Sequence, residues 1–564
     1  MKVIYYKIIK NPFFSAFVFL GSVIITISFL WPEWWFNTVK HLKDGAPKDT
    51  IANYIIYRNI GLFVAGFIGA FLAFWRSKSL SRQATVAEQG HITERIIRAS
   101  EQLGSPEVHV RIGAIYTLWR TATDTNLEAD KSMILDMLCA YIRSPTENHA
   151  NKNSLSLKDN YGIIRKKNTE EKIRDDVQIC LNLLCKKIVE LDLSSPYHCN
   201  LKNSFLKNSD LREADLRGAD LRGAKLGDAD LTGAKLTRAY LGGADLGGAY
   251  LTKADLIGAD LTGADLGGAY LMGADLGGAY LGGADLRGAK LRGAYLTKAD
   301  LTLAYLTKAD LTGADLTGAD LRGADLTEAK LGGAKLRGAD LTDAYLTDAD
   351  LGGADLGGAY LTGADLGGAY LMGADLGGAY LGGADLRGAK LRGAYLTKAD
   401  LTLAYLTKAD LTGADLTGAD LRGADLTEAK LGGAKLRGAD LTDAYLTDAD
   451  LGGADLGGAY LTGADLGGAY LMGADLGGAY LGGADLRGAK LIGADLTEAK
   501  LGGAKLRGAD LTDAYLTDAD LGGADLGGAY LTGADLGGAY LMGADLGGAY
   551  LGGADLRGGL PHGG

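Results

Sequence analysis

From residue 201 to residue 556 every fifth residue is leucine, about 72 times without a break. From 214 to 554 the residue two places before each leucine is always alanine. A period of five matches neither the 3.6-residue helix nor the two-residue strand. Repetition this regular specifies a solenoid, in which each unit packs on its neighbours and no single large core is needed. Leu and Ala, two apart on an extended trace, point to one side, and the Asp, Tyr or Lys between them points to the other. Glycine near the end of most units permits a turn. Each unit therefore reads as a short extended side followed by a corner, with leucine and alanine stacked inside.

The array also records its own growth. Residues 261–350 and 361–450 are identical, 451–490 repeat 351–390, and 496–520 repeat 426–450. Duplication on this scale argues against a finely placed outer site in the copied part. Charge is divided along the chain: residues 1–200 hold 25 basic and 19 acidic side chains, whereas 201–564 hold 33 and 50, a net of −17. An acidic array is a poor direct ligand for nucleic acid, because binding phosphate takes net Lys and Arg.

The first 83 residues read as a membrane anchor. Residues 13–31 form an uncharged run of 19 residues, roughly 28 Å as a helix. A second apolar stretch, residues 55–75, reaches a bilayer's thickness if Arg58 extends its head to the interface. Trp31, Trp34, Trp35, Tyr54, Tyr57 and Trp75 stand where interfacial aromatics belong. No small-x-small cleavage site follows the first run, which favours an uncleaved anchor over a signal peptide. Lys2, Lys7 and Lys10 before the first run, and Arg76, Lys78 and Arg82 after the second, place both ends on the cytoplasmic side.

Residues 84–190 read as α-helical. Apolar stripes at helical spacing run through Ile92, Ile96, Ala99 and Leu103, then Val108, Ile112, Ile115 and Trp119. Two more run through Ile134, Leu138, Tyr141 and Ile142, then Ile173, Val177, Leu181 and Leu184. Ser105-Pro106-Glu107 is predicted to open a helix. Residues 144–169, with Arg165, Lys166 and Lys167, read as a solvated loop.

The run Ile92-Thr93-Glu94-Arg95, then Glu101 to Ser105, then Val110 to Leu118, followed by Ala-Asp-Leu-x-x units, resembles bacterial membrane-anchored pentapeptide-repeat proteins. The resemblance covers essentially the whole chain. It implies a mainly β fold: a right-handed quadrilateral β-helix with four pentapeptides per coil, preceded by two transmembrane helices and a small α-helical segment. The expected domains are an anchor at 1–83, helices at 84–190, the β-helix at 191–560 and a tail at 561–564. About 18 coils at roughly 4.8 Å give a rod of about 86 Å.

No catalytic, cofactor or metal residues are expected. His, Cys and Ser are absent from residues 211–560, which removes the usual nucleophiles and bases. Cys139, Cys180, Cys185 and Cys199 lack zinc-site spacing and read as buried, reduced thiols. Stacked Asp side chains lack the six or more oxygens that calcium takes. Tyrosines 20 residues apart (Tyr250 and Tyr270, Tyr360 and Tyr380, Tyr460 and Tyr480, Tyr530 and Tyr550) are expected to stack, either to stabilise adjacent coils or to serve an interface. The expected function is a non-enzymatic, membrane-tethered scaffold that presents an acidic rod in the cytoplasm to a protein partner, at the bacterial inner membrane. Two alternatives follow from the resemblance: a DNA-mimic inhibitor of DNA gyrase, and an accessory of membrane lipid export. The ending Gly558-Gly559-Leu560-Pro561 offers no covering helix, so homodimerisation through an open last coil is a further expectation.

Overall fold

The computed structural model describes residues 48–144, 173–193 and 197–558, with side chains described from residue 59 onward. The first expected membrane run, 13–31, lies outside these residues, as do the basic triplet at 165–167 and the tail. The chain divides into two compact units, Met1–Glu94 and Arg95–Gly564.

Helix α1 (Lys48–Leu103) contains the second expected run in one unbroken helix of 56 residues. Its part Asn59–Leu103 is long and apolar enough to cross a membrane, and none of its most apolar window is buried against protein. Leu62, Phe63, Phe67, Phe74 and Trp75 all face outward. Gly104 and Ser105 end the helix with tightening turns onto Glu101 and Gln102, and Pro106 bars continuation.

Three short helices follow: α2 (Val108–Asp124), α3 (Glu128–Arg143) and α4 (Asp175–Lys186). The expected cap at Ser105 stands two residues before the actual N-cap, Glu107. Ser105 instead accepts the Glu107 N–H in a local turn, and the first helical residue is Val108. The predicted stripes become the shared core: Ile115 and Leu118 of α2, Ile134 and Leu138 of α3, and Leu181 and Leu184 of α4 are all fully buried. At its edge Asp176, also fully buried, receives the Arg111 and Arg174 guanidiniums and the Tyr141 hydroxyl, the last at 2.6 Å. Burial alone would raise the Asp176 carboxyl, but hydrogen bonds from Arg174, Tyr141 and Arg111 outweigh it and hold the group well below the usual carboxylate range.

From residue 200 onward the chain winds into coils of 20 residues. Residue n bridges residue n + 20 in parallel register, from Asn200 with Asp220 to Asp535 with Asp555. Four pentapeptides therefore make one turn. Each side of the coil is pared down to one bridging residue, so the β-structure consists of isolated bridges rather than the extended strands that a mainly β class suggests. The reason is the period itself. A two-residue corner after every leucine leaves three residues per side, too few for a longer ladder.

The unit 366–370 shows how its backbone is satisfied. Leu366 donates to the Asp385 carbonyl one coil on at 2.6 Å, and Gly368 to Arg387 at 3.0 Å. Ala369 closes the corner on Leu366 at 2.9 Å, and Tyr370 donates back to Ala349 at 2.8 Å. The second corner residue always has positive φ. Most are glycine, yet Leu303 and Leu403 also hold φ near 55°, where a Cβ is strained. The inward leucines and alanines are fully buried from the first coil to Ala539.

The N-terminal edge of this ladder is closed by the helices. The Gln178 side-chain amide imitates a missing rung: its Nε2 donates to the Asp210 carbonyl at 2.7 Å, and its Oε1 accepts the Asp210 N–H at 2.8 Å. The Cys185 carbonyl accepts the Asp215 N–H at 2.6 Å, and an Arg143 N–H reaches the Asn200 carbonyl. Unpaired edges invite association, and solenoids need such caps.

Candidate interaction surface

What the rod offers a partner is set by the residue between Ala and Leu and by the two corner residues. Of the five N–H groups in a unit, the four described above are taken by backbone carbonyls. The fifth belongs to the residue just after leucine, and where Asp precedes that leucine, its Oδ1 accepts this N–H. Asp365 takes Gly367 at 2.9 Å, Asp375 takes Gly377 at 2.9 Å and Asp300 takes Thr302 at 3.0 Å. The recurrent aspartate is thus a turn cap of the kind that favours Asp in turns. This role was not recognised in the sequence, although the Asp-Leu-x spacing carries it.

Where arginine follows the leucine, its guanidinium forks the same carboxylate. Nine such Asp–Arg pairs run from Asp210 with Arg212 to Asp555 with Arg557. The Arg212 hydrogen bond carries Asp210 down to about 2, and Arg287 lowers Asp285. Nine of the 50 acidic side chains of residues 201–564 are thus engaged by a neighbouring arginine.

The four sides are not equivalent. Between residues 300 and 490, one side carries Asp300, Asp320 and Asp340, then Tyr360 and Tyr380, and then the same five-residue series again from Asp400 to Tyr480, with no lysine at these positions. The opposite side carries four Asp and four Lys, with Lys390 seated over the Tyr370 ring at 5.5 Å and Lys490 over Tyr470 at 5.1 Å. The side between these two, from Tyr305 to Asp485, again carries six Asp and four Tyr with no lysine, so two adjacent sides are acidic and aromatic, and the side opposite the first is balanced.

The four expected tyrosine pairs do stack, with ring centroids 4.8–5.0 Å apart and planes within 8°. Tyr360, Tyr380, Tyr460 and Tyr480 are close to half exposed. Each ring lies on its neighbour's face, so the edges and hydroxyls point to solvent.

All four cysteines are free and buried. The Cys139 thiol is pushed up by hydrogen bonding with Cys199 and by burial, which keeps it protonated and unreactive. Among the described residues no group of three or more His, Cys, Asp or Glu is arranged to hold a metal ion.

A model of pentapeptide repeats (eight copies) matches the chain in successive segments from residue 197 to 558. Among solved structures the chain is similar to HetL, a pentapeptide repeat protein involved in heterocyst differentiation regulation from the cyanobacterium Nostoc sp. strain PCC 7120. The two are 41% identical over 37% of this chain and 89% of HetL, with a TM-score of 0.21. A pentapeptide repeat protein of the Arabidopsis thaliana thylakoid lumen is 38% identical over 17% of this chain and 66% of its own, with a TM-score of 0.17. QnrB1, a plasmid-mediated fluoroquinolone resistance protein, is 21% identical over 32% of this chain and 91% of its own, with a TM-score of 0.20. No curated protein matches the chain.

Proposed function

We propose that this chain, which belongs to the pentapeptide-repeat family, is a membrane-tethered scaffold whose right-handed β-helix presents two adjacent acidic, aromatic sides to protein partners and performs no catalysis. The observation that carries this reading is the asymmetry of the sides between residues 300 and 490. A uniform packing role for the outer residues would leave all four alike. Half-exposed tyrosines are of the residue type enriched at interfaces. From Leu211 to Ala539 the inward positions are all Leu or Ala and the Asp side chains cap turns, so these coils supply no general base or nucleophile in a cleft. The apolar helix Asn59–Leu103 supports attachment to a membrane. With a second span at 13–31 the repeat domain would face the cytoplasm at the bacterial inner membrane.

The test is site-directed photocrosslinking in the native membrane. A benzophenone amino acid replaces Tyr380 on one acidic side or Lys390 on the balanced side. Adducts from position 380 and not from 390 are expected. The same adducts from both positions, or none from either, would sink the reading.

DNA mimicry remains the second reading because the array is acidic. B-DNA carries a charge every ~1.7 Å, whereas a net of −17 over about 86 Å is one per roughly 5 Å. Purified chain at micromolar concentration is therefore expected to leave gyrase supercoiling unchanged, and inhibition would favour mimicry over the scaffold.

A further inference from the structure

Beside the first coils, a groove of about 760 Å³ runs from the 3₁₀ helix Ile188–Leu191 along one corner of the rod. This volume lies in the range of small-molecule and lipid sites. Its apolar wall is made by Val189, Leu193, Tyr240 and Ile257; Val189, Tyr240 and Ile257 are exposed. An isoleucine at 257 departs from the Gly or Thr usual at that corner position.

Along the floor His198 precedes the second-corner residues Gly218 and Arg238. Here one glycine has a steric task. A Cβ on Gly218 would stand 2.5 Å from Nδ1 of His198, so the bare glycine lets the imidazole lie along the corner. Arg238 holds φ 55°, the only arginine among the described residues with positive φ.

The charges of the wall are divided. Arg217 is engaged with Asp215 at 2.6 Å. Arg238 and Asp192 have no ion-pair partner among the described residues, and both line the groove. The coils up to residue 260 are also the part of the array outside the long identical blocks, so the groove occurs once in the chain.

We infer that this groove binds one zwitterionic phospholipid, with its phosphate on Arg238, its amine toward Asp192 and an acyl chain along Val189, Leu193, Tyr240 and Ile257. The two unpaired charges are complementary to a ligand with one group of each sign, and the apolar wall is complementary to a tail. A bilayer lipid is the source because the same chain carries a helix able to cross a membrane. The inference stands apart from the scaffold reading, since the groove lies at residues 188–257 and the scaffold reading rests on residues 300–490.

The test uses the full chain in a neutral maltoside detergent, titrated with phosphatidylethanolamine and read by native mass spectrometry. One lipid is expected to be retained more tightly than the rest. Arg238→Ala and Ile257→Asp are expected to weaken that lipid by about tenfold or more, with Arg238→Lys intermediate. Both sites are exposed, so far-UV circular dichroism should be unchanged. Phosphatidylglycerol, which lacks the amine, should bind more weakly to the natural chain and gain on Asp192→Asn. Diacylglycerol, which lacks the head, should not occupy the site. Equal retention by the natural chain and both groove variants would overturn the inference and assign the lipid to α1. Equal binding of diacylglycerol would overturn it as well.

Discussion

Replacing Asp365 tests whether the recurrent carboxylates belong to the backbone or to a partner. In the structure, Asp365 Oδ1 takes the Gly367 N–H at 2.9 Å, and no backbone carbonyl competes for that donor. A charged acceptor on a neutral N–H contributes about 1.5–3 kcal/mol, and a neutral one about 0.5–1.5 kcal/mol. The position is partly solvated, so water recovers some of the loss in Asp365→Ala, and about 1–2 kcal/mol of local stability should disappear. That corresponds to amide exchange at Gly367 faster by roughly 5- to 30-fold. Asp365→Asn keeps an acceptor oxygen in place and should recover most of the protection while removing the charge. An internal comparator exists one unit earlier, where Tyr360 stands in the Asp position. The Thr362 N–H there takes no protein acceptor among the described residues, so it should already exchange fast in the natural chain. Hydrogen exchange read by mass spectrometry at single-residue fragmentation measures all three. If Asp365→Ala leaves Gly367 as protected as before, or if Asp365→Asn is as damaging as alanine, the capping argument is wrong and the carboxylates need another reason to recur.

Leu386 is fully buried, and Leu386→Ala should cost about 2–5 kcal/mol in urea unfolding. Leu386→Lys should cost more by burying an unpaired charge, and an unchanged midpoint would remove the inward leucine ladder. Asp176→Asn leaves Arg111 and Arg174 buried without their anion, a loss of about 3–5 kcal/mol that should appear as faster amide exchange in α2 to α4. Because the folded Asp176 titrates below its unfolded value of about 3.9, its contribution is fully present above about pH 4. It is lost as pH falls through the folded value, so the natural helices should loosen in acid while Asp176→Asn changes little. Deleting residues 361–380 removes one complete coil and should leave the far-UV spectrum per residue unaltered, whereas deleting only 377–379 breaks the five-residue step and should unfold the flanking coils.

The solenoid was legible because one period sets both its inside and its corners: Leu and Ala two apart can only share a side. The helical stripes were legible for the same reason, at period 3.6. What sequence reading missed is long-range or side-chain specific. Gln178 sits 32 residues from Asp210, and nothing in its local pattern marks its amide as a rung. Ser105-Pro106-Glu107 looked like a helix start, but the serine hydroxyl turns to the Glu107 N–H and the helix waits for Val108. The expectation of strands failed because corners every five residues leave room for a single bridge. Of the candidate surface, the tyrosine stacks follow from 20-residue spacing. The groove at Arg238 requires the corner column and the 3₁₀ helix together, which no spacing discloses.

The glutamine rung has a consequence for how the rod is indexed. Because Gln178 and Cys185 meet the first coil at fixed residues, every later pentapeptide takes its compass bearing by counting from that joint. Inserting or losing one unit anywhere turns everything beyond it by a quarter of a revolution, while the interior stays intact. A copying event of 100 residues leaves the bearing alone, and one of 70 residues reverses it. Slippage in the gene can therefore swing the distal third of this protein to face the other way without the fold registering any change.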